Sequence, residues 1–207
     1  MLMLFAQLST QAHSADNLVL PTDNDQYSQL VHKAHAQDIT VSFRELRIAY
    51  LNSSASKLTA NRLAELTNLR RDMFDAVAHN DASAIRAKAE AILNIKYIDM
   101  DAHKLLRQSC AVLADKACED RHRFTGLGLL RSIVSSGDGK SCKTAWEVVA
   151  VDEEYFVLRM IGEKLKEQSV VQEGGRVCDK MQVVNEKQEP TTRYFDVNHV
   201  FASYSSQ

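Results

Sequence analysis

Glycine does not occur before residue 126, and no proline lies between Pro21 and Pro190. The stretch from Asp23 to Thr125 therefore lacks both residues that punctuate short-strand folds. That excludes an all-β first half and permits a stack of helices. Long apolar runs are missing too. Beyond the N-terminus nothing approaches the ~18–20 apolar residues of a membrane span, so no stable membrane insertion is expected after processing. An excess of one charge is also absent: 25 Lys and Arg face 27 Asp and Glu, and the runs NLRRD and EDRHR mix signs. Such a balance gives no general field for nucleic acid, and no nucleic-acid partner is expected. Neither an H-E-x-x-H pair nor a serine in a strand–turn–helix elbow occurs, which removes two hydrolase signatures.

What is present reads as two grammars. In the first, Tyr27, Leu30, Val31 and Ala34 form an apolar stripe, and Ser42 with Glu45 has capping-box spacing ahead of Leu46, Ala49 and Tyr50. Thr59 is expected to cap a long helix with Leu63, Leu66, the Arg70 stem, Met73, Phe74 and Val77 inward. Asn80 ends that helix and Asp81 caps the next, which buries Ile85, Ala89 and Ile92. Asp99 or Asp101 starts another through Leu105, Leu106, Val112 and Leu113. Asp115 starts the last, through Phe124, Leu127, Leu130 and Val134, where Gly126 and Gly128 suggest a closely packed backbone. AVAHNDASAIRAKAEAIL and AVLADKACEDRHRFTGLG align at an offset of 35, close to the ~34-residue period of tetratricopeptide hairpins. Residues 23–136 thus read as a tetratricopeptide-like helical-hairpin array.

All seven glycines fall in the last two-fifths of the chain, five of them after residue 136. TAWEVVAV reads as a strand, DEEYFVLRMIG as a short helix, QSVVQEGGRVCDKMQVV as a hairpin around EGG, and TTRYFDVNHVFASY as a closing strand. Residues 137–207 are expected to form a small antiparallel sheet with one helix, packed on the array. The fold class is α+β.

Residues 1–15 are apolar from Met1 to Leu8 and end in the small residues Ala12, Ser14 and Ala15 before Asp16. They resemble the back half of a signal peptide, without its basic start, and point to a periplasmic or otherwise exported bacterial protein. Four cysteines in an exported chain suggest two disulfides. Three pairings are possible, and Cys110–Cys118 with Cys142–Cys178 is preferred because each stays within one half. A zinc site of His103, Cys110, Cys118 and His122 has acceptable composition, but its spacing matches no compact zinc motif. No metal and no cofactor are expected.

SIVSSGDGKSCKTAW offers Gly139-Lys140-Ser141, yet the first glycine of a phosphate loop falls on Val134, and a helix precedes the loop where a strand is needed. The segment reads as a helix stop and a turn joining the halves. Glu153, Glu154 and Tyr155 suit acid–base work if they line a cleft; otherwise the acids complement a helix dipole. His103 and His122 lie on adjacent expected helices, where they can meet. Asp179 and Asp196 read as turn or strand-edge residues.

The runs IDMDAH, GLLRSIVSSGDGKSCKTAWEVVAVDEEYFVLRMIGEKLKEQSVV, CDKMQVV and RYFDV resemble, over roughly Thr40 to Val197, an exported bacterial family catalogued only as a domain of unknown function. The resemblance implies that Asp101, His103, Ser136, Gly137, Asp138, Gly139, Glu153, Glu154, Tyr155, Gly162, Gln168, Ser169 and Asp179 fall on motif positions. The cysteines are not part of that pattern.

The functional expectation is a non-enzymatic, exported protein-binding module, in one version an immunity-type inhibitor of a toxic effector. Its partner is a protein or peptide, and Ser136, Asp138, Lys140 and Tyr155 are the candidate binding residues. The alternative is a periplasmic hydrolase with a cleft between the halves, using Glu153 or Glu154 with His103 or His122.

Overall fold

Side-chain caps set the helix starts of this computed structural model, which describes residues 16–205. Asp25 accepts from the Ser28 amide and opens α1 (Gln26–His35); Ser42 accepts from Glu45 and opens α2 (Phe43–Leu51). Ser53 opens α3 (Ser54–Asn61), and α4 (Leu63–Ala78) follows after Arg62. Asp81, Asp99 and Asp115 cap α5 (Ala82–Leu93), α6 (Met100–Val112) and α7 (Lys116–Val134). Each such cap is worth about 1 kcal/mol.

Thr59 is not a cap. It lies inside α3, where its hydroxyl donates to the Ala55 and Ile95 carbonyls. The expected long helix is therefore two. Its inward face is also narrower than expected: Leu66, Met73 and Ala76 are buried, whereas Leu63, Phe74 and Val77 are exposed. Val112 and Leu113 are exposed at the tip of the next hairpin.

The helices from α4 to α7 pack each on the next. The repeat is real in geometry but shifted by one residue. Caps Asp81 and Asp115 correspond, and so do Asn80 and Ala114, which end their helices with φ of 54° and 57°. The structural offset is thus 34, the tetratricopeptide period itself.

After a 3-10 turn (Cys142–Thr144) come β1 (Trp146–Glu147), α8 (Val151–Met160), β2 (Lys164–Glu173), β3 (Arg176–Val184), β4 (Pro190–Asp196) and α9 (Asn198–Ser205). The strands order as β1-β4-β3-β2. The sheet is mixed rather than antiparallel, because β1 runs parallel to β4. TAWEVVAV contributes only two strand residues; Val148 and Val149 are apolar for burial rather than for pairing. A second helix replaces the end of the expected closing strand. Asp196 accepts from the amide and side chain of Asn198, which turns the chain out of β4 into α9.

The main core draws on both halves, with Tyr27, Leu46, Ile98 and Ile133 packed among Trp146, Phe156, Met181 and Phe195. A second core, including Leu66, Met73, Ile92 and Leu106, lies within the array. Disulfides join Cys110 to Cys118 and Cys142 to Cys178, the latter tying the 3-10 turn to β3. No helix among the described residues is long and apolar enough to cross a membrane. Residues 1–15, the signal-peptide expectation, lie outside the described residues.

Candidate functional site

The acids of D-E-E-Y, at the start of α8, go to three different places. Asp152 binds Lys96 and Arg70 of the array. Burial works against its charge, but the two cations hold its pKa down at about 2. Glu153 makes a bidentate pair with Arg47, whose side chain is 1% exposed, and accepts from the Val149 amide. Arg47 also donates to Ser132 and to the Glu147 carbonyl, so one guanidinium links α2, α7, β1 and α8. Glu154 turns toward the sheet, near Asp179 on β3. Glu153 and Glu154 lie in the acidic first turn of α8, as the dipole reading expects, and both are in addition buried tertiary groups.

His103 and His122 do meet, with their Nδ1 atoms 2.9 Å apart. The Tyr97 carbonyl takes the His103 Nε2 proton at 2.7 Å, which leaves His103 Nδ1 to accept from His122. The other His122 nitrogen faces Asp16 at 3.3 Å, and Arg121 binds the same carboxylate. Burial and the neighbouring His122 hold the His103 pKa well below the usual imidazole value. This buried chain fastens Asp16 to α6 and α7. Its partners are separate from those of Glu153 and Glu154, and Cys110 and Cys118, the thiols of the zinc alternative, are bonded to each other. Among the described residues no three His, Cys, Asp or Glu side chains are grouped to hold a metal ion.

The Ser136–Lys140 joint is built from the inside. Asp138 accepts from the Lys140 amide and the Thr144 hydroxyl, and both interactions lower its pKa. Ser136 accepts from the Glu147 amide, and Trp146 Nε1 donates to the Gly137 carbonyl. Gly139, at φ +64°, lies flat on the Trp146 ring, where a Cβ would collide. Ser136 and Asp138 thus shape the corner between the halves. Lys140 is exposed, and Tyr155 donates to Gln168 at 2.8 Å.

A different surface has the form of a docking groove. The loop after α1, the start of α2 and one face of α7 enclose an open volume of about 710 Å³. Phe43 lies across Gly128, whose missing side chain makes the room, so a ring rather than a backbone explains that glycine. Phe43 and Phe124 meet edge to face at 5.5 Å. Leu127 and Ile39, the latter 89% exposed, extend this floor. Arg123, Leu127 and Arg131 recur every fourth residue and so share a helix face. Among the described residues neither Arg123 nor Arg131 has an acidic partner, whereas Arg44 beside them is held by Glu147. This groove was not anticipated from sequence; the Arg-x3-Leu-x3-Arg spacing is the signal that carried it.

A family model described as Domain of unknown function (DUF4919) matches residues 21–206. The chain belongs to that family. The match extends beyond Thr40–Val197 at both ends, so the DUF4919 unit takes in α1, with the array, the corner and the sheet as one continuous stretch. No curated protein and no solved structure matches the chain. For this DUF4919 member the chemistry must therefore come from its own surfaces.

Proposed function

We propose that the protein is an exported, non-enzymatic protein-binding module whose docking face is the groove between the start of α2 and α7. One observation carries this reading: an apolar floor, with Ile39 standing in solvent, is flanked by two arginines that no acid among the described residues neutralises. Apolar area of that kind is stable in water chiefly where a partner covers it. The arginines favour a partner segment with acidic residues on either side of an apolar anchor. An effector-neutralising role is the concrete version, in which the partner is a toxic protein met after export. Two disulfides accord with export.

The hydrolase alternative gains no support, since His103 and His122 are committed to Tyr97 and Asp16 while Glu153 is committed to Arg47. The test is affinity capture with the tagged protein against its Arg123→Glu/Arg131→Glu variant. A partner held by the wild type in low salt, and lost on charge reversal with unfolding unchanged, supports the reading. Equal capture by both proteins overturns it.

A further inference from the structure

A second cavity, of about 360 Å³, lies between the start of α8, strands β2 and β3, and the start of α9. Its walls are mostly apolar, with Val151, Val170, Val197 and Val200 prominent, and its polar side is Gln168, Ser169 and Asp179. Asp179 is 5% exposed and Glu154, beside it, is 0% exposed. Tyr155 donates to Gln168 Oε1, and Gln168 Nε2 donates to Asp179 Oδ2 at 2.5 Å. That chain fixes the aspartate through Oδ2. Apart from the hydrogen bond that Glu154 and Asp179 share, neither Glu154 oxygen nor Asp179 Oδ1 meets a partner.

A buried charge left without a counter-charge is strongly unfavourable. Glu154 and Asp179 share one proton, so what this place lacks is positive charge. The described residues do not supply it. Arg47, Lys96 and Arg70, the cations near this turn, are spent on Glu153, Asp152 and Asp99. The charges acting on Glu154 are those of Asp179, Glu153 and Asp152, all negative; burial and then Asp179 hold its proton on, with a pKa of about 9. At neutral pH the pair thus carries one negative charge, not two.

We propose that this cavity binds a small organic ammonium ion, its N–H groups reaching Asp179 Oδ1 and its apolar body lying against Val170, Val197 and Val200. The volume is at the lower end of ligand pockets, about 300–1,000 Å³. One buried charge matches one monovalent cation. A hard divalent ion needs about six oxygens, which these apolar walls do not offer. A cation at Asp179 also favours ionised Glu154, so binding releases part of a proton.

Phenethylamine and hexylamine test this on the disulfide-bonded protein, with phenylethanol and hexanol as neutral counterparts and calcium as an inorganic cation. Titration calorimetry in two buffers of different ionisation enthalpy reads both affinity and proton release. The amines are expected to bind at least tenfold more tightly than the alcohols, with a proton released. Asp179→Asn is expected to remove that preference. Val170→Trp, at the exposed rim and directly across the β2–β3 ladder from Asp179, is expected to block the amines while the fold stays intact. Alcohols binding as well as amines, amines binding unchanged in Val170→Trp, calcium displacing them, or no amine binding at all would each overturn the assignment.

Discussion

Glu154 makes the stability of the fold depend on pH in a way that can be worked out in advance. In the unfolded chain this carboxyl has its ordinary pKa near 4.5; in the fold, burial first and Asp179 second raise it to about 9. Between those values the native protein holds a proton that the unfolded chain releases. Stability is therefore fully present below pH 4.5 and falls with rising pH by about 1.4 kcal/mol per unit until pH 9. His103 and His35 act in the opposite sense. Burial keeps both neutral below the usual imidazole range, so their contribution is lost as pH drops below 6.5.

The two slopes oppose each other below 6.5, and above it Glu154 dominates. From pH 6.5 to 8.5 the wild type is expected to lose about 3 kcal/mol, a large part of the 5–15 kcal/mol of an ordinary domain. The fluorescence of the single tryptophan, the buried Trp146, reports urea unfolding across that range. Glu154→Gln keeps a neutral group of the same shape, and its stability is expected to stay level between pH 6.5 and 8.5. Parallel pH profiles for the two proteins would refute the reasoning.

Arg47→Met leaves Glu153 buried without its cation and is expected to cost about 3–5 kcal/mol, with Arg47→Met/Glu153→Leu recovering most of it in urea midpoints. Ala114→Gly relieves a left-handed Cβ at the α6–α7 turn and is expected to stabilise by up to about 1 kcal/mol, read as a higher Tm. Gly128→Ala drives a methyl into the Phe43 ring and is expected to cost about 1–3 kcal/mol, part of which Phe43→Leu restores. Cys142→Ser/Cys178→Ser opens a 36-residue separation, and Cys110→Ser/Cys118→Ser one of 8. Loop-closure entropy makes the first loss about 4 kcal/mol and the second about 2–3, a ranking that thermal unfolding of the two variants checks.

Local signals were read well because they act over three or four residues. Asp81, Asp99 and Asp115 cap their helices because a short acceptor reaches the third amide on, whatever the rest of the chain does. Thr59 misled because Ser53 supplies the same chemistry six residues earlier, and no Gly or Pro marks the true break at Arg62. TAWEVVAV misled because β-branched residues serve a buried core as well as they serve a ladder. The α8 acids were legible as a helix start and illegible as a site. Their meaning depends on Arg47 and Asp179, which lie 106 residues before Glu153 and 25 after Glu154. His103 and His122 were expected on neighbouring helices, and adjacent helices of one hairpin brought them together. Ile39 in the groove gave no sequence signal, since exposure of a lone isoleucine is decided by where α1 and α2 leave it.

The divergence of Asp152, Glu153 and Glu154 limits how this protein can vary. Each residue of a helix turns about 100° from the last, so one residue inserted or deleted between Val148 and Asp152 would re-aim all three carboxyls together. The turn from Asn185 to Glu189, exposed and bonded mostly to itself, carries no such constraint. Length differences among relatives should therefore gather at that turn and be missing from the first turn of α8, a pattern of insertions set by angles rather than by chemistry.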